Sequence, residues 1–455
     1  MTLRAPTVED PVAAFDDRTG GRGADAAAML TAYLVLLLAL PSGLTIGSLN
    51  SYGSPSMIFG LALLVWWLFS RLQRSTPDVN AVRQPVRLAL GGFVVVVLVG
   101  FAASLLRGMP SDQISPAISA VVRLLSWSGV FLVAVDGVRT LDDLLRLVRR
   151  ISVAGGILAG LGLLQFFTHQ SWLDWFTSIP GLSYDSDSLI ERSGFTRSSG
   201  TASHPLEYAV ALNATLPIAL FLASAGGMRR GRAAARGAWK WWVPPLLIMI
   251  ASLIAVSRSA IIGLVVSIIT ALPCLPRRYR GAAIGGAVLV AAVVTVAVPG
   301  ILFTTFALFA GASTDSSTQS RTDALGHLKS FMAPSPYIGG GFGTFLPRYY
   351  IFDDQWALLL VEVGFVGTFL FLAIVGTAVW SAARASVLPA DDETSRLARS
   401  LVAAVLVVGV LFIFFDGLSF AQSAGLFFLL TGLCGSMLTV GASEAARARP
   451  PALTA

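Results

Sequence analysis

Long apolar runs dominate the chain, and short polar breaks rich in charge, glycine or proline separate them. The runs at 88–106, 281–298 and 401–415 carry no charged residue. A helix needs roughly 20 mostly apolar residues to cross a bilayer. In hydrocarbon it must also satisfy every backbone N–H and C=O within itself. The period-two alternation of a membrane β-barrel is absent from these runs. The pattern predicts twelve helices, at about 26–47, 54–72, 88–106, 116–136, 151–168, 205–225, 241–256, 259–275, 281–299, 357–381, 400–416 and 421–440. The expected fold class is all-α: a polytopic integral membrane protein with about 12 transmembrane helices.

Composition strengthens that expectation. Hydrophobic residues make up 55% of the chain and charged residues 13%, against about 25% charged in soluble domains. The formal net charge of +7 could point to nucleic acid, but 30 of the 32 basic residues are arginine, and 24 of the 32 fall in alternate inter-helix segments or the tails. That distribution is a topology signal and implies no nucleic-acid partner. It predicts cytoplasmic termini and two long extracytoplasmic segments, 169–204 and 300–356, the larger just before helix 10. Residues 1–25 read as a disordered cytoplasmic tail rather than a signal peptide. Residues 26–440 form one transmembrane domain, and 441–455 a second cytoplasmic tail. Within 137–150, Leu141, Leu144, Leu145 and Val148 recur at helical spacing among charges, predicting an amphipathic helix on the inner membrane surface. Cys274 and Cys434 form neither a disulfide framework nor a metal motif.

The eight basic residues that break the inside trend are Arg107, Arg123, Arg192, Arg197, Arg258, Arg321, Lys329 and Arg348; His169, His204 and His327 fall on the same side. Arg123 lies inside an apparent helix beside Trp127, where a charge costs at least ~2.5 kcal/mol on insertion scales and calls for a partner or a wet cavity. Any one exposed arginine is most simply a solvated loop charge. Gathered around one cavity, these cations suit an anionic ligand, and arginine's planar fork suits phosphate. Four segments stand out: 197–208 (RSSGTASHPLEY), the Ser257-Arg258-Ser259 break, Arg321 followed by 336–345 (PYIGGGFGTF), and Asp353-Asp354-Gln355-Trp356 running into 358–367 (LLLVEVGFVG).

In this order and topology the four segments resemble the bacterial O-antigen ligase and O-antigen polymerase superfamily. The likeness covers about 190–370. It implies a GT-C-like membrane glycosyltransferase of the bacterial plasma membrane, metal-independent, inverting and without cofactors. Its substrates would be a polyprenyl-diphosphate-linked glycan and a glycan or lipid acceptor. The resemblance places Arg258 and Arg321, with Arg197 and Arg348, at the diphosphate, and His204, Gly341 and Trp356 along the substrate. Ligases typically carry histidine where this chain has Asp353, and the polymerase-like branch more often has Asp-Asn there. Asp353-Asp354 matches neither and leaves the acceptor open.

Chemically, arginines can stabilise a diphosphate leaving group without a metal, and a carboxylate or histidine can take the acceptor's proton. Asp353, Asp354 and His327 are the candidate bases; the two aspartates could equally cap the next helix. A lipid-glycan flippase or transporter is the alternative, although repeats and broken helices meeting at the midplane are not evident. A non-catalytic envelope-assembly protein is a third possibility.

Overall fold

The computed structural model describes residues 25–73, 83–184, 191–192, 195–228, 237–310, 316–387 and 392–447. Of the expected tails at 1–25 and 441–455, residues 1–24 and 448–455 lie outside these residues, and 441–447 continue the last helix. Among those described, fourteen α-helices follow in order: α1 (Ala26–Leu38), α2 (Pro55–Leu72), α3 (Pro85–Leu106), α4 (Ser111–Gly137), α5 (Leu141–Thr168), α6 (Pro205–Ser224), α7 (Val243–Ile254), α8 (Arg258–Ala271), α9 (Arg277–Ala297), α10 (Ile301–Ala310), α11 (Ser316–Met332), α12 (Gln355–Ala385), α13 (Asp392–Leu411) and α14 (Ala421–Arg447). Their strands are two antiparallel pairs, Thr45–Ile46 with Leu182–Ser183 and Glu191–Arg192 with Phe195–Thr196.

Nine of the described helices are long and apolar enough to cross a membrane: α2 to α6, α9 and α12 to α14. Shorter apolar helices span Ala26–Leu38, Ala238–Ile254 and Arg258–Cys274. The protein is an all-α, multi-pass membrane protein. Local chemistry sets several helix starts. Pro55, Pro85 and Pro205 open α2, α3 and α6, where a missing N–H costs no helical bond. The Asp25 carboxylate accepts from Ala27 N at 3.1 Å to start α1, and Thr140 Oγ1 accepts from Asp143 N at 3.2 Å to start α5.

Helices α6 and α14 form the centre and are buried over nearly their whole apolar length. α6 packs against α5, α8 and α13, and α14 against α4 and α12. α9 is peripheral, with Val294 its one buried residue. Lipid is as apolar as leucine, so close backbone approach matters more here than in water. Between α2 and α4 a Cβ on Gly60 would stand 2.2 Å from Ser126 Oγ, and one on Gly129 would stand 2.3 Å from the Gly60 carbonyl oxygen. At the C-terminal end of α4, Asp136 accepts from Trp67 Nε1 at 2.8 Å and Arg87 Nη1 at 3.1 Å, and it pairs with Arg71. Arg123 sits thirteen residues earlier on the same helix, about 20 Å away along its axis.

Three expectations change. The first helix ends at Leu38 instead of near 47, and turns and a 3-10 segment follow it. The predicted surface helix at 137–150 is the first part of a continuous α5; Leu144, Leu145, Leu147 and Val148 are buried in the bundle. Protein covers that apolar face, and no breaker separates it from the following run. The 300–356 segment carries two helices, α10 and α11.

Candidate functional site

Helix α12 is broken in its apolar stretch. Gly364 has φ 65° and ψ −169°, so the turn cannot continue. An unbroken helix would bond Phe365 N to Val361 O and Val366 N to Glu362 O. Here the 335–344 loop takes over both pairs. Gly340 N donates to Val361 O at 2.9 Å and Gly341 N to Glu362 O at 2.8 Å; Phe365 N donates to Pro336 O at 2.9 Å and Val366 N to Tyr337 O at 3.1 Å. From α3, Ser104 Oγ donates to Gly340 O at 2.7 Å and Arg107 Nη2 to Gly339 O at 3.0 Å. Irregular backbone at membrane depth is tolerated where such partners satisfy it. Gly339 (φ 72°) must be glycine twice over, because a Cβ there would also stand 2.2 Å from Glu362 O.

The break points Glu362 into a cavity of about 200 Å³ between α4, the 342–352 loop, the start of α12 and the 416–419 turn. Arg123, Glu362 and Asp416 line it among Trp127, Phe345 and Tyr350. Glu362 is buried and accepts from Phe345 N at 3.3 Å. Arg123 Nη1 reaches the Ser419 carbonyl at 3.5 Å and lies in electrostatic range of both carboxylates. Burial pushes the Asp416 carboxyl up to about 6; the hydrogen bond from Ser419 opposes the rise, the nearby Asp353 carboxylate adds to it, and Arg123 opposes it. Gln355 Oε1 accepts from Leu418 N at 2.7 Å and ties the Asp416 turn to the start of α12.

Arg123, Trp127 and Ser419 also line a second cavity of about 250 Å³. Its wall is rich in hydroxyls, including Tyr33, Ser42, Ser54, Ser56, Ser126 and Ser203. The buried Glu207 carboxylate braces this side, accepting from Ser42 Oγ at 2.8 Å, Ser203 N at 2.9 Å and Gln422 N at 2.7 Å. Arg123 therefore stands in a wall shared by a carboxylate-bearing cavity and a hydroxyl-lined one.

The residues singled out in the sequence fall around this centre at different depths. Asp353 is half-buried beside Asp416. Asp354 Oδ1 accepts from Trp356 N at 2.8 Å and Ala357 N at 3.3 Å, and so caps α12. His327 is exposed on α11, with its ring 5.8 Å from that of Tyr350, a cavity residue. Gly341 (φ 118°) belongs to the inserted loop. Trp356 donates from Nε1 to Gly409 O at 3.1 Å and packs edge-on to Phe371. His204 Nδ1 accepts from Leu206 N at 3.1 Å and caps α6. Arg258 is half-buried at the first residue of α8, and Arg197 is half-buried before α6. Arg348 is exposed; it pairs with Asp112 and donates to Tyr349 Oη at 2.7 Å. Arg321 belongs to α11, and its side chain lies outside the described residues.

Sequence reasoning reached Arg123 as a buried charge needing a partner or a wet cavity, but gave no role to Glu362 and missed Asp416. Asp416 closes an apolar run and reads as the end of a span; its signal is a lone carboxylate before Gly417.

No curated protein matches the chain by sequence. Residues 245–372, from the start of α7 through the inserted loop and past the break in α12, match the family model described as O-antigen ligase. Over that stretch, somewhat more than a quarter of its length, the chain is similar to the O-antigen ligase family.

Proposed function

We propose that the protein transfers or polymerises a glycan, taking it from a polyprenyl-diphosphate donor and passing it to an acceptor hydroxyl on the outer side of the bacterial plasma membrane. The observation that carries this reading is the Arg123–Glu362–Asp416 cavity built on the broken helix of the ligase-matching segment. In one displacement the acceptor oxygen bonds to the sugar C1, the C1–O bond to the diphosphate breaks, and C1 inverts. The acceptor's proton goes to a carboxylate. Asp416 fits that role, because burial raises its carboxyl to about 6 and leaves a base that is ionised yet protonatable near neutrality. Asp353 and His327 are the rival bases, and Asp354 is engaged as a helix cap. Arg258, with Arg197 and Arg321, would meet the diphosphate charge as it develops. Arg348 would have to exchange its Asp112 partner to join them. The hydroxyl-lined cavity suits a sugar ring, whose hydroxyls both donate and accept.

The transport reading gains one observation, since broken helices are common in transporters. Against it, the break in α12 is filled by four backbone hydrogen bonds from one loop, a fixed arrangement rather than a moving gate. Purified protein in detergent, with lipid-linked glycan and EDTA, separates the readings. New glycosidic bonds without a sealed bilayer are the expected result. Movement of the lipid-linked glycan across proteoliposomes, with no new bond in either preparation, would replace the enzyme by a transporter. Loss of product with EDTA, restored by Mg²⁺ or Mn²⁺, would remove the metal-independent mechanism.

A further inference from the structure

The hydroxyl-lined cavity of about 250 Å³ draws nothing from the stretch that matches the ligase model. Its lining comes from α1, the 42–57 segment, α4, Ser203 and residues 419–421, all outside 245–372. The carboxylate-bearing cavity takes most of its lining from inside that stretch.

Hydrogen-bond accounting tells which ligand this wall can meet. Ser42 Oγ donates to the Glu207 carboxylate at 2.8 Å, Ser203 Oγ to the same carboxylate at 3.0 Å, and Ser126 Oγ to Met57 O at 2.9 Å. Their protons are spent, so towards the cavity these three can only accept. Ser54 and Ser56 share one hydrogen bond at 3.2 Å, which leaves one of their two protons over. Tyr33 differs from all of them. Its side chain is fully buried and lines the cavity, and among the described residues none hydrogen-bonds to its hydroxyl. Gly425 on α14 makes room for that hydroxyl, since a Cβ there would stand 2.5 Å from Tyr33 Oη. Buried polar groups ordinarily have partners, and this one has the cavity in front of it.

The wall thus offers fixed acceptors and a few free donors. A phosphate brings only lone pairs and would face the accepting oxygens of Ser42, Ser126 and Ser203. Among the described lining residues the one charged side chain is Arg123. It reaches Ser419 O at 3.5 Å and stands in electrostatic range of Glu362 and Asp416, so its charge is already answered. A neutral polyol both donates and accepts at every hydroxyl. Trp127 and Phe420 in the same lining give the C–H face of a sugar an apolar surface. The volume lies just below the roughly 300–1,000 Å³ of drug-sized pockets, which suits one ring.

We infer that this cavity binds one neutral pyranose ring and that the Tyr33 hydroxyl is the donor that selects it. The source of the ring rests on the transferase reading, in which either the lipid-linked glycan or the acceptor supplies it. The wall shared at Arg123, Trp127 and Ser419 sets the ring beside the carboxylates. Choice of sugar would then belong to parts of the chain outside the ligase-matching stretch.

Saturation-transfer NMR on the detergent-purified full chain tests the site without requiring turnover. The probes are the methyl α-glycosides of glucose, galactose, mannose and rhamnose. At least one should take up saturation from the protein, and inorganic pyrophosphate should not displace it. Tyr33→Phe removes a hydroxyl that no described residue bonds, so it should melt no lower than wild type yet bind that glycoside about fivefold more weakly. Ser51→Trp, at an exposed lining residue, should block binding. In the transfer assay Tyr33→Phe should raise KM for one substrate and spare kcat. A rise for the acceptor assigns the ring to the acceptor, and a rise for the lipid-linked glycan assigns it to the donor. Glycoside binding without any transfer would keep the site and remove the transferase reading. Saturation of none of the four glycosides, displacement by pyrophosphate, or unchanged binding in both variants would overturn the site whether or not transfer proceeds.

Discussion

Arg123, Glu362 and Asp416 come from three distant parts of the chain, and their meeting explains how much of the site could be read beforehand. Arg123 was legible because one cation in an apolar run violates the solvation rule for membrane helices. Glu362 was visible only as a letter in a family pattern, since one carboxylate in LLLVEVG says nothing about the cavity it faces. Asp416 was invisible because a span ending in a turn and a span ending in a catalytic turn have the same hydropathy. A buried carboxyl near 6 makes a specific demand on pH. As a base it must be ionised, so transfer should be weak below about pH 6, rise through it and level off above. Asp416→Asn should cut turnover by about a hundredfold or more and abolish that limb while donor binding persists. Asp353→Asn removes a repelling neighbour, so the limb should move to lower pH with turnover retained. An inactive Asp353→Asn beside an active Asp416→Asn would move the base to Asp353. Stability gives a second check. The folded carboxyl titrates above its ordinary value of 3.8, so the folded state holds the proton more tightly, and stability declines as pH rises from about 4 to about 6. Asp416→Asn should therefore melt no lower than wild type at pH 7.

At the scale of elements, hydropathy found every helix long and apolar enough to span, but neither the polar α11 nor what happens inside a span. The twelve expected runs all appear as helices, because each carries enough apolar residues to satisfy its own backbone in lipid. Where hydropathy misjudged, the cause was a side chain whose partner lies elsewhere. Arg146, Arg149 and Arg150 interrupt the apolar run of α5 and suggested a separate surface helix, yet Leu144, Leu145 and Val148 are buried against the bundle. Arg107 looked like a ligand-facing cation, and its guanidinium holds the Gly339 carbonyl. The break in α12 was hidden because glycine is common in transmembrane helices, and Gly364 in an apolar run carries no mark of its dihedral angles. That break depends on the glycines of the inserted loop. Gly339→Ala must fit a Cβ 2.2 Å from the Glu362 carbonyl oxygen at positive φ. A left-handed non-glycine residue alone costs about 1–3 kcal/mol. The variant should melt measurably lower in detergent and lose most transfer, since Glu362 moves with its carbonyl. Gly285→Ala in α9, where a Cβ meets nothing within 4 Å, should match wild type in both assays. Equal melting of the two variants would show that the loop does not lock the break.

Across the whole molecule, two ends of different chemistry are separated by the buried helices α6 and α14. One end carries Asp136 with Arg71 and Arg87, and beside it the α1–α5 arginines. The other carries Arg123, Asp416 and the 300–356 segment with α11. A bilayer between them should be crossed in one direction only, because basic residues near short loops resist translocation. The bias of 24 in 32 basic residues predicts that the Asp136 end faces the cytoplasm and α11 the outside, the side on which the proposed lipid-linked glycan would have to be presented. Exposed Lys329 on α11 and exposed Lys240 before α7 sit on opposite sides in that topology. The two native cysteines, Cys274 and Cys434, are buried and should stay silent to a bulky thiol reagent. Lys329→Cys should therefore react with a membrane-impermeant maleimide in intact cells, whereas Lys240→Cys should react only after permeabilisation. The reverse pattern would invert the protein in the membrane, place the Arg123 cavity on the cytoplasmic face, and remove the outer-leaflet glycan from its reach. Labelling of both positions in intact cells would mean an even number of spans between them, where α7, α8 and α9 give three, and the parity of this stretch would have to be redrawn.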